Sequence, residues 1–151
     1  MNELPATSPE HYLTGTSAMA IPSRDTAFVD WHFVDTFLAG KASFRVAGFN
    51  FPDTSLLLGR HGVHECSGTL RRHGVRLAPD RAFYAANRDR ALLDLIVSNL
   101  QQARRPDHLR LDDYCDNEAD ARPLRMQLQS LRDRLPDAAQ RRLLDEWLAQ
   151  Q

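Results

Sequence analysis

Three scarcities bound what this chain can be. Its 151 residues include only two cysteines, Cys66 and Cys115, too few for a disulfide framework, so both are expected to be free thiols. No apolar run approaches the roughly 20 residues that span a bilayer, so no membrane association is expected. Lysine is almost missing, with Lys41 alone among 19 basic residues, a bias that fits a GC-rich coding sequence. The opening MNELPATSPEHYL has no basic region followed by an apolar one, so it does not read as a secretory signal. A cytoplasmic location is the expectation. There is no internal repeat and no low-complexity segment.

What is present is ordinary for a globular chain, 42% apolar and 26% charged. The length suits a single domain over residues 1–151, with 1–10 as a loose lead-in and 106–151 as a C-terminal helical part. The net charge of −1 conceals a segregation. Residues 1–59 carry three basic against six acidic residues, whereas 60–90 carry seven arginines against Glu65, Asp80 and Asp89. Residues 101–151 return to near balance, with nine arginines against ten acids. Segregation of this kind marks a contact surface or an internally paired one.

The stretch Arg81–Arg105 organises the chain. It reads as a strand, Ala82–Ala86, feeding a helix capped by Asn87 and stopped by Pro106, with Leu92, Ile96, Leu100 and Ala103 on one stripe. Ahead of it, His11–Leu13 reads as a strand followed by a hydroxyl-rich turn, Thr14–Ser17. Thr26–Leu38 has an ambiguous period. Its aromatic and β-branched content favours a strand, paired through a turn with Ser43–Ala47. A short helix is expected after Phe51-Pro52-Asp53-Thr54, and another over Val63–His73 ending at Gly74. Val75–Leu77 and Phe83–Ala85 flank a turn and read as a β-hairpin. Past Pro106 an acidic run, Asp112–Asp120, precedes two amphipathic helices. One carries Leu124, Leu128, Leu131 and Leu135, with Pro123 in its first turn. The other carries Leu143, Leu144, Trp147 and Leu148. They should pack as an antiparallel hairpin.

Little of the usual chemistry assembles. His61, His64, Cys66 and His73 form one cluster where a structural zinc site needs ligands paired at fixed spacing twice over, so no metal is expected. The acidic run fails the calcium-loop pattern in both registers: Tyr114 takes a ligand position in one, Ala121 the glycine position in the other. No cofactor is expected. The arginines Arg60, Arg71, Arg72 and Arg76, with Arg81, could neutralise phosphate, but no base-reading module accompanies them. They are better read, with Asp112, Asp113 and Asp116, as contacts for a protein partner. Asp94 sits in the densest apolar part of the central helix with Arg90 one turn earlier, and this pair is expected to be structural.

Two stretches are similar to known families. LTGTSAMAI followed by VDWHFV resembles the opening of the nucleotidyltransferase fold. That resemblance implies a phosphate cradle at Gly15 and Ser17 and a Mg²⁺ carboxylate at Asp30. His32 stands where a second carboxylate belongs, and only Asp35 or Asp53 could serve as the third, so transfer activity is not expected. FYAANRDRALLDLIVSNL resembles antitoxins of the bacterial abortive-infection AbiE type, through the string Arg90-Ala91-Leu92-Leu93-Asp94-Leu95. It implies a neighbouring toxin as partner. No N-terminal winged helix accompanies it.

The sequence therefore predicts an α+β fold: a small mixed or antiparallel sheet, a central buried helix at about 87–103 and a C-terminal helical hairpin. Its predicted function is a non-catalytic protein–protein interaction module, an antitoxin or accessory part of a toxin–antitoxin or phage-defence system. A divergent nucleotidyltransferase using Gly15, Ser17 and Asp30 is the alternative. Nucleic acid is a less favoured partner than protein.

Overall fold

The computed structural model describes residues 4–22, 31–40 and 43–151. Among them it shows an α+β fold of seven α-helices and one mixed four-stranded sheet. The chain divides into two compact units: 1–53 with 60–91, and 54–59 with 92–151.

The first unit holds the sheet, in the order β2-β1-β4-β3. β1 (Leu13–Thr14) pairs antiparallel with β2 (Arg45–Val46) and parallel with β4 (Tyr84–Ala86), and β4 pairs antiparallel with β3 (Val63–Glu65). Helix α1 (Gly15–Met19) follows β1 directly, and α4 (Ser67–Arg72) follows β3. One apolar cluster includes Tyr12, Leu13, Phe33, Phe37, Leu70, Phe83, Ala85 and Ala86.

Several sequence expectations are corrected here. Residues 31–38 are helical rather than extended. α2 (Trp31–Phe33) runs into a π-helical turn, Val34–Leu38, closed by the Ala39 amide on the Val34 carbonyl at 2.8 Å. The reason is the pair Phe33–Phe37, four residues apart with ring centroids at 5.0 Å, which a helix brings together on its inner side. Residues 26–30 of that predicted strand lie outside the described residues. Val63–Glu65 is a strand, not the start of a helix. The Glu65 carboxylate accepts from the Ser67 amide at 2.8 Å, which starts the helix two residues later. It does end at Gly74, with φ +93°. Val75–Leu77 is not a strand either. Arg71 donates to the carbonyls of Ala78 and Arg81 and holds this segment as a loop, and β4 takes β1 and β3 as partners instead.

Helix α5 (Arg88–Gln101) begins in the first unit and continues in the second. Asn87 caps it, its side-chain oxygen accepting from the Arg90 amide at 2.8 Å. Its end comes before the expected position. Ala103 adopts φ +57°, the Ala103 amide bonds the Leu100 carbonyl and the Arg104 amide bonds the Asn99 carbonyl. This is a Schellman closure with alanine where glycine is usual, and Pro106 lies beyond it.

The second unit contains α3 (Ser55–Leu58), the rest of α5, α6 (Glu118–Arg134) and α7 (Ala138–Leu148). α6 starts earlier than expected because Asn117 caps it, accepting from the Asp120 amide at 2.9 Å. Pro123 therefore lies inside the helix rather than in its first turn. α7 is capped by Asp137, and its Asp145 receives a two-bond ion pair from Arg132 of α6 at 2.6 and 3.0 Å. That pair holds the Asp145 carboxyl below its usual range, chiefly by the Arg132 hydrogen bonds. Trp147 is fully buried and its indole donates to the Leu109 carbonyl at 2.8 Å. No helix among the described residues is long and apolar enough to cross a membrane.

Candidate functional site

The residues singled out from the sequence do not converge on one place. At the β1–α1 junction Gly15 takes φ +71°, which lets the strand turn at once into the helix. Thr14 is fully buried, and the buried Ser17 hydroxyl turns back onto the Thr14 carbonyl at 3.4 Å. Asp30 lies outside the described residues. His32 is exposed and stacks on Trp31 with ring centroids 3.6 Å apart. Because residues 31–38 are helical, no extended strand carries His32 and Asp35.

The arginines of the basic stretch are largely occupied with their own chain. Arg60 reaches the Glu10 carboxylate at 2.6 Å, Arg71 holds two loop carbonyls, and Arg72 lies 3.4 Å from the Thr69 hydroxyl. Arg81 ties down the N-terminal segment through the carbonyls of Leu4 and Pro5 at 3.0 and 2.6 Å. Within this stretch Arg76 is exposed and makes no hydrogen bond or ion pair among the described residues. In the second unit Asp112 and Asp113 lie on a 3₁₀ turn, Leu111–Asp113, and with Asp116 they are exposed.

Arg90 is fully buried. Its guanidinium donates to the His61 carbonyl at 2.7 Å and the Tyr12 hydroxyl at 3.0 Å, and lies over the Tyr12 ring at 5.4 Å from the centroid. It fastens the 61–62 turn to the first turn of α5, where the Asn87 amide also bonds the Gly62 carbonyl at 2.7 Å. Asp94 is fully buried as well, its Oδ1 accepting from the Thr54 hydroxyl at 2.6 Å. No local signal marks Tyr12, His61 or Thr54 as partners, because each lies 29 to 78 residues away along the chain.

Two further groups have shifted acidities. The buried Cys66 thiol is pushed up to about 12 by desolvation, with the Glu65 charge adding to it. Partial burial works to raise the Glu65 carboxyl, but hydrogen bonds from Ser67 and Phe83 and the Arg71 charge outweigh it and lower the pKa. Among the described residues no group of three or more His, Cys, Asp or Glu side chains could hold a metal ion.

The surface feature the sequence did not reveal is apolar. With Phe33 and Phe37 turned inward, Trp31 is left 66% exposed and Val34, one turn on, 39%. Phe49, also in the first unit, is 85% exposed. The chain was compared with family models, curated proteins and solved structures, and none of the three gives a match.

Proposed function

We propose that this chain is a non-catalytic protein-interaction module that docks a partner through the Trp31–Val34 face. The supporting observation is the exposure of a tryptophan and a valine one helical turn apart. Tryptophan is the side chain most enriched at the energetic centres of interfaces, and exposed large apolar groups on a helix face mark such surfaces. The buried charges support the same reading, since Arg90 and Asp94 are engaged with the chain itself. The resemblance of Arg90–Leu95 to abortive-infection antitoxins supplies a partner class, a toxin encoded beside this chain. The chain is then an antitoxin or accessory component of a bacterial phage-defence system, working in the cytoplasm.

The test is co-expression with the product of the adjacent gene and measurement of complex mass. A stoichiometric complex that Trp31→Ala abolishes, with an unchanged melting curve, supports the reading. A complex indifferent to Trp31→Ala would move the interface elsewhere.

The alternative, a divergent nucleotidyltransferase, draws on the strand-to-helix turn at Gly15. It predicts label transfer from nucleotides that Asp30→Ala removes.

A further inference from the structure

We draw no further inference here: the strongest candidate, the apolar surface patch on α3 in the second unit, where Leu56 is 99% exposed, is an unpartnered face, and nothing in the structure shows what covers it.

Discussion

Gly62→Ala should be the most damaging single-methyl change in the first unit. Gly62 has φ +79°, and a Cβ placed there would lie 2.6 Å from the Cβ of Arg90 and 2.8 Å from Oδ1 of Asn87. Neither neighbour can retreat cheaply. Arg90 is fully buried and bonded to the His61 carbonyl, and Asn87 caps α5 and bonds the Gly62 carbonyl. The left-handed backbone costs about 1–2 kcal/mol for a non-glycine residue, and an extra methyl in a filled site about 1–3 kcal/mol. A loss of roughly 2–5 kcal/mol follows from the two together, a large share of the ~5–15 kcal/mol that holds a typical domain. Urea denaturation followed by circular dichroism measures it. Gly68→Ala is the matched control, since no atom lies within 4 Å of its added Cβ and it sits in α4. It should stabilise by about 0.5–1 kcal/mol. If Gly62→Ala costs no more than about 0.5 kcal/mol by the same assay, the close approach of the 61–62 turn to α5 is not a constraint and the reasoning fails.

Ala103→Gly should raise the melting midpoint, because glycine takes the left-handed closure of α5 without the roughly 1 kcal/mol penalty that alanine carries. An unchanged or lowered midpoint would contradict the Schellman closure. Asp94→Ala should cost about 1–3 kcal/mol by leaving the buried Thr54 hydroxyl without its acceptor, and a melting curve identical to the parent would show that the bond contributes nothing. Folding lowers the Glu65 carboxyl below its ordinary 4.5, so its contribution is complete above that pH and is lost as pH falls through the lower folded value. The unfolding free energy of Glu65→Gln should therefore vary less with pH across the acid range than that of the parent. Parallel pH profiles would refute the assignment.

The parts of the fold legible in the sequence were those set by local signals. Asn87 announces a helix start because its side chain accepts from the amide three residues on. Gly74 announces a helix end because its positive φ suits no other residue as well. The leucines of α6 kept a helical period that survives in the structure as buried Leu124, Leu128 and Leu131. Where local preference and long-range pairing disagreed, the sequence misled. Val63–Glu65 is helix-compatible in isolation and becomes a strand only because β4 offers it a ladder. Residues 31–38 carry strand-forming side chains, but the contact of Phe33 with Phe37 and the apolar cluster they join select a helix. The candidate site suffered most from this. A strand register at 31–38 cannot show that Trp31 and Val34 face outward, and no local signal connects Arg90 to Tyr12 or Asp94 to Thr54.

The central claim is that this chain acts by holding a protein rather than by transferring a nucleotide, and one measurement addresses it. The purified chain, alone and with the product of the adjacent gene, is incubated with Mg²⁺ or Mn²⁺ and labelled nucleotides, and each mixture is then resolved by mass. The account predicts a stoichiometric complex of the two proteins, dependent on Trp31, with no label on RNA or protein attributable to this chain. Label transfer by the chain alone that disappears in Asp30→Ala would contradict it.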